Sequence, residues 1–238
     1  MTNPIALKAA DLKLRFGVYG HFYEMTLGGV LYHCRSVLEL IAHERTPQEP
    51  NRIMTLAPDL LVIMMNPGSS RPLDRDYQPR RVRSPSQIGV EMELTPTRPD
   101  NTQYQVMRLM AAKGYQHARV LNLSDLREPK SPILIRTVSQ LSQVRGGGAH
   151  TLFSVSRKKE REELLGAPGQ TPVLVGWGRD KGLLPLVEPC LAALKGFTTV
   201  GVAVAGDDRL YAHPSPMLQR LKEGWLAAIL SQLNQSSP

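Results

Sequence analysis

Leu60-Leu61-Val62-Ile63-Met64-Met65-Asn66-Pro67-Gly68-Ser69-Ser70 reads as a short buried strand that stops at a sharp turn. The apolar run shows no polar alternation, the pattern of a strand covered on both faces in a parallel sheet. Pro67 fixes φ and lacks an N–H, and Gly68 accepts positive φ, so the chain turns as the strand ends and presents Asn66. Val120-Leu121-Asn122-Leu123-Ser124 and Val173-Leu174-Val175-Gly176-Trp177-Gly178 likewise run from apolar residues into a polar or glycine-bearing tip. His213-Pro214-Ser215-Pro216 lies beyond a fourth apolar stretch, Thr198 to Ala205. Parallel strands place such tips along one edge of a sheet, where α/β proteins gather their sites.

Bulk properties narrow the class. A chain of 238 residues with 42% hydrophobic content has room for one sizeable core, so a single domain spanning 1–238 is expected. No apolar run reaches the roughly 18 residues of a membrane span, and Met1 to Phe16 interleaves Lys8, Asp11, Lys13 and Arg15 with its apolar residues, unlike a secretory leader. Cys34 and Cys190 are too few for an iron–sulfur cluster, and no Cys/His spacing suggests zinc. A reduced, cytoplasmic, monomeric protein without metal, cofactor or membrane is therefore expected. The net charge of +8 favours a phosphate-rich partner.

Outward from the first strand, residues 14–45 read as a hairpin followed by a helix. Gly20 is flanked by Val18-Tyr19 and Phe22-Tyr23, and a helical pattern runs from Cys34 through Leu38, Leu40 and Ile41, making residues 1–50 an N-terminal extension. Residues 71–99, rich in proline and carrying Arg71, Arg75, Arg80, Arg81 and Arg83, read as one long irregular loop. Asp100 is placed to cap a helix that stops at Gly114. Arg119–Leu123 and Pro172–Gly176 read as strands, Ser124–Pro132 as a polar loop, and Ser156–Leu165, Leu183–Leu194 and Met217–Leu233 as helices. Alternating strands and helices predict a three-layer α/β/α sandwich around a mostly parallel, four-stranded central sheet, with the hairpin as an addition.

The order and chemistry of the four tips resemble the uracil-DNA glycosylase superfamily. Its members carry an Asp-Pro or Asn-Pro-Gly tip first, a pocket Asn on a second strand, a strand ending in Trp-Gly, and a His-Pro-Ser-Pro loop last. The resemblance spans roughly Leu60 to Met217 and implies a monofunctional DNA glycosylase that flips a nucleotide out of DNA and hydrolyses its N-glycosidic bond. It casts Asn66 as the residue that orients water, Asn122 as the reader of the base edge, and His213 as the donor to the departing base. It implies DNA contacts from Ser69, Ser70 and Ser215, and a wedge at Met217 that fills the gap in the duplex. Tyr77 is expected to stack on the flipped base, and Arg80 and Arg81 to follow phosphates.

Uracil-specific members place a tyrosine after Asp-Pro, where its ring closes the space beside C5 of the base. This chain has Gly68 there, as does the mismatch-directed branch. The resemblance thus implies tolerance of C5 substituents, as in thymine, 5-hydroxymethyl pyrimidines or the glucosylated cytosines of phage DNA, and a role in repair or antiviral defence. An Asn cannot act as a general base, which leaves open a nucleic-acid or nucleotide-binding module that kept the pocket and lost the chemistry. A third reading is an enzyme acting on free nucleosides, for which so positive a charge is unnecessary.

Overall fold

The computed structural model describes residues 6–90 and 92–235. Among these residues, sixteen α-helices and strands follow one another: α1 (Ala9–Lys13), β1 (Phe16–Leu27), β2 (Val30–Ala42), β3 (Leu60–Met64), β4 (Arg80–Val82), β5 (Leu94–Pro96), α2 (Asn101–Lys113), β6 (His117–Asn122), α3 (Ser131–Leu141), α4 (Lys158–Leu165), β7 (Val173–Gly176), α5 (Leu184–Ala193), β8 (Thr199–Val200), β9 (Ala203–Val204), β10 (Asp207–Tyr211) and α6 (Gln219–Gln235). An eight-stranded sheet has the order β4-β1-β2-β6-β3-β7-β8, with β5 also paired to β1, while β9 and β10 form a small separate ribbon. Strands β6, β3, β7 and β8 are mutually parallel.

Strand alternation sorts the core into two layers. Leu61 and Ile63 of β3, with Val173 and Val175 of β7, face a cluster completed by Leu134 and Val138 of α3, Leu164 of α4 and Val187 of α5. Leu60, Val62 and Met64, with Leu174, face the opposite cluster, built with Val106 and Leu109 of α2 and Leu226 and Ile229 of α6. Both faces of each central strand are therefore buried, which explains the unbroken apolar runs. Asp100 caps α2 by accepting from the N–H groups of Thr102 and Gln103, and Gly114 ends it in the left-handed region, as the sequence predicts.

The N-terminal region departs from expectation. Residues 34–41 form strand, not helix, and the hairpin is no appendage: β2 pairs antiparallel with β6 and extends the central sheet from four strands to eight. Its inner half is buried on both faces, so polar–apolar alternation is lost and the residual spacing mimics a helix. Within 71–99, β4 and β5 pair with β1, so the expected loop is partly an edge of the sheet. The expected strand at 198–205 divides into β8 and β9, and α3 begins at Ser131, inside the stretch read as polar loop, with Pro132 in its first turn.

Candidate active site

The parallel register assembles the site. Met64 of β3 lies beside Asn122 of β6 on one side and Gly176 of β7 on the other, so all three strands end at the same level. The strands that follow β3 in the chain lie on opposite sides of it, making β3/β7 a topological switch point, the usual place for a ligand crevice. A cleft of about 350 Å3 opens there, lined among others by Asn66, Gly68, Asn122, Trp177 and His213. Its volume falls in the range of small-ligand sites, about 300–1,000 Å3.

Asn66 is locked by the loop that leaves β6. Its Nδ2 donates to the carbonyls of Leu126, at 2.9 Å, and Glu128, at 2.7 Å. Both amide hydrogens are thereby used, and the carbonyl oxygen is the only function left for a ligand or water. Pro67 and Ser70 close the turn beyond it through a 3.1 Å backbone hydrogen bond. Gly68 has φ +58° with nothing within 4 Å of where a Cβ would stand, so the cleft is open beside it.

Asn122 is fully buried in the cleft wall, and neither its Oδ1 nor its Nδ2 has a hydrogen-bond partner. Leaving a buried carboxamide unpaired is unfavourable by about 1–3 kcal/mol per group, so the site is shaped for a ligand offering both a donor and an acceptor.

The backbone leading to His213 is held by both tryptophans. The indole N–H of Trp177 donates to Arg209 O at 3.0 Å, that of Trp225 to Ala212 O at 3.2 Å, and the Gly178 N–H donates to Tyr211 O at 2.8 Å. The ring of Pro214 packs on Gly176 so closely that a Cβ there would stand 3.1 Å from it. The Ser215 N–H donates to His213 Nδ1 at 3.2 Å. Burial lowers the pKa of His213, opposed by the charge of Asp100 and by the Ser215 backbone. The ring is therefore neutral at physiological pH, with Nδ1 as acceptor and Nε2 carrying the proton. It can donate toward a developing anion without bringing a positive charge.

Other expected residues lie elsewhere. Tyr77 does not line this cleft: it packs edge-on against Phe22, with ring centroids 6.4 Å apart, and lines cavities on the far side of the β1–β2 hairpin. Its spacing from Asn66 carries it past the switch point to the sheet edge. Arg80 and Arg81 sit on β4, three strands away from β6, where the Arg81 Nε pairs with Glu24 at 3.0 Å and an Arg80 Nη donates to the Val90 carbonyl. Ser69 is exposed, whereas Ser70 is buried with an unpartnered hydroxyl, in no position to meet a phosphate from solvent. Ser215 is half-buried beside His213. Met217 is 99% exposed, which rules out a place in the core.

Four charged residues in the cleft were not picked out as site residues from sequence. Asp100, read only as a helix cap, also lines it, as do the buried Arg35 of β2 and the exposed Arg179 and Asp180. For Arg35, an arginine inside an apolar stretch was the available signal. Among the described residues, no group of three or more His, Cys, Asp or Glu side chains is placed to hold a metal ion, and no helix is long and apolar enough to cross a membrane. Comparison with known proteins returns no matching family model, no matching curated protein and no matching solved structure.

Proposed function

We propose that the cleft is the base pocket of a DNA glycosylase that excises a modified or mismatched pyrimidine and leaves an abasic site. The observation that carries this reading is the convergence of Asn66, Asn122 and His213 on one cleft, with the carboxamide of Asn122 buried and unpaired in its wall. A pyrimidine edge supplies the donor and acceptor that carboxamide lacks. The Asn66 carbonyl accepts a hydrogen from water and holds it for attack on C1′, and the His213 Nε2–H donates to the ring oxygen as negative charge gathers there. The open space beside Gly68 supports pyrimidines carrying a C5 substituent, including thymine, 5-hydroxymethyl and glucosylated bases. The charge of +8 suits a DNA substrate, and the exposed Met217 suits a wedge in the duplex.

The test is mass spectrometry of bases released in single turnover from DNAs carrying uracil, thymine mismatches and 5-substituted pyrimidines. His213→Ala and Asn122→Ala should each slow release at least about tenfold to a hundredfold, the scale of one lost transition-state contact, with DNA affinity little changed. Binding of DNA without release of any base would instead identify a binding module on this fold, the outcome favoured if an Asn at position 66 activates water too weakly.

A further inference from the structure

Arg35 is 2% exposed, lines the same cleft as Asn122 and His213, and has no hydrogen-bond partner for its buried Nε and Nη1. Its backbone is fixed by a 2.9 Å hydrogen bond to Asp125 O. The two carboxylates whose charge favours the Arg35 cation make their hydrogen bonds to other groups. Asp100 accepts from the N–H groups of Thr102 and Gln103, and Asp125 accepts from Tyr23 and Arg157. Asp100 and Asp125 act on Arg35 through space without an ion pair, and Arg127 opposes them. Burial pushes the Arg35 pKa down to about 10, which leaves the side chain a cation at neutral pH. A buried cation compensated only through space, with two of its nitrogens unbonded, is unfavourable to folding, so a protein that keeps one beside a cleft keeps it for what enters the cleft.

We infer that Arg35 makes the inner wall of this cleft a binding site for an anion, and that during base excision this anion is the departing pyrimidine. The first half stands on Arg35 and the cleft alone, and the second rests on the glycosylase reading above. In that reaction the C1′–N1 bond breaks and its electron pair stays with the base, delocalised over N1 and the ring oxygen. The water oxygen bonds to C1′ and releases a proton, and the base takes up a proton from solvent as it leaves. Neutral His213 and acceptor-only Asn66 bring no positive charge to this event. Of the two arginines that line the cleft, Arg179 is exposed and screened by solvent, whereas buried Arg35 supplies the charge at a site where low dielectric strengthens the interaction.

The experiment compares two free bases at neutral pH: 5-nitrouracil, whose acidified ring is anionic, and uracil, which is neutral. Binding to wild type, Arg35→Met and Arg35→Lys is followed by calorimetry or ligand-observed NMR. Wild type should prefer the anion at least about tenfold, the scale of a charge-assisted contact, Arg35→Met should abolish the preference, and Arg35→Lys should keep part of it. Without ligand, Arg35→Met should melt at or above the wild-type temperature, because it removes a buried unpaired charge. A preference that survives in Arg35→Met, or a large loss of thermal stability in that variant, overturns the anion site. Inorganic phosphate bound as tightly as 5-nitrouracil, and lost in Arg35→Met, assigns Arg35 to a phosphate and overturns the leaving-group role. Excision rates separate the two halves. If wild type releases no base while the Arg35-dependent preference holds, the glycosylase reading and with it the leaving-group role fall, and the anion site stands. If wild type is active, Arg35→Met should slow uracil release more than release of 5-fluorouracil, a better leaving group, and equal slowing refutes the leaving-group role.

Discussion

Asn66→Asp is the most telling single substitution, because the structure and the resemblance point in opposite directions. A carboxylate activates water better than a carboxamide, so under the proposed function the likeness to Asp-Pro glycosylases suggests faster base release. Here, however, the amide nitrogen of Asn66 donates to two backbone carbonyls, at 2.9 and 2.7 Å. An aspartate at this position would turn an acceptor oxygen toward those two acceptors. Losing two hydrogen bonds, each worth about 1 kcal/mol, and adding that repulsion destabilises the fold by about 2–4 kcal/mol. For a chain of this length the melting temperature should fall by about 5–15 °C. The expected rate of base release is no higher than wild type, since relief of the repulsion rotates the carboxylate away from the water position. The repulsion also raises the carboxyl pKa above its unfolded value. Its stability contribution is therefore present at low pH and lost as pH rises through the folded pKa, so the melting deficit should shrink on acidification as the protonated acid recovers one donor. Differential scanning fluorimetry across pH, with single-turnover excision, reads all three effects. A variant with wild-type stability and faster base release would refute the reasoning.

Stability should fall as pH drops from about 6.5 to 4, because burial and Arg157 lower His21 and His150 to about 4; each stabilises the fold above the unfolded pKa and loses about 3 kcal/mol of that contribution on acidification. Asp125, raised to about 6 chiefly by burial, acts with the opposite sign and offsets about one histidine, so a melting temperature that is flat or rises on acidification would contradict this balance. Gly68→Tyr should abolish excision of 5-substituted pyrimidines while sparing uracil; Gly68→Ala carries the same left-handed strain of about 1–2 kcal/mol without the ring, and equal losses in both variants would deny a role for the open space. Met217→Ala should leave the melting temperature unchanged, given 99% exposure, and impair excision from paired duplex more than from single strands; equal effects on both substrates would exclude a wedge.

The parts of the site legible in the sequence are those whose signal is local. Asn-Pro-Gly after an apolar run marks a strand and its turn within a few residues, and Asp100 with Gly114 brackets α2 in the same way. The tips Asn66, Asn122 and Trp177 could be ordered along an edge because parallel strands that begin together end together, and the register bears this out for Met64, Asn122 and Gly176, whereas His213 reaches that edge from the separate β9–β10 ribbon. Tyr77 misled because proximity along the chain was taken for proximity in space, and β4 and β5 draw that segment to the far edge of the sheet.

Composition and local pattern thus determined the α/β class, the central parallel strands and the residues at their tips, since strand periodicity and turn chemistry are properties of a few consecutive residues. Tertiary structure alone decided that residues 34–41 are strand, because a segment buried on both faces loses the alternation that distinguishes strand from helix. It also decided the partners of the site residues: which carbonyls hold the Asn66 amide, which N–H fixes the tautomer of His213, and that Arg35 lines the same cleft as Asn122 with its Nε and Nη1 unbonded. Such partners come from strands and loops distant in the chain, and no local pattern encodes a contact that exists only once the sheet has closed around it.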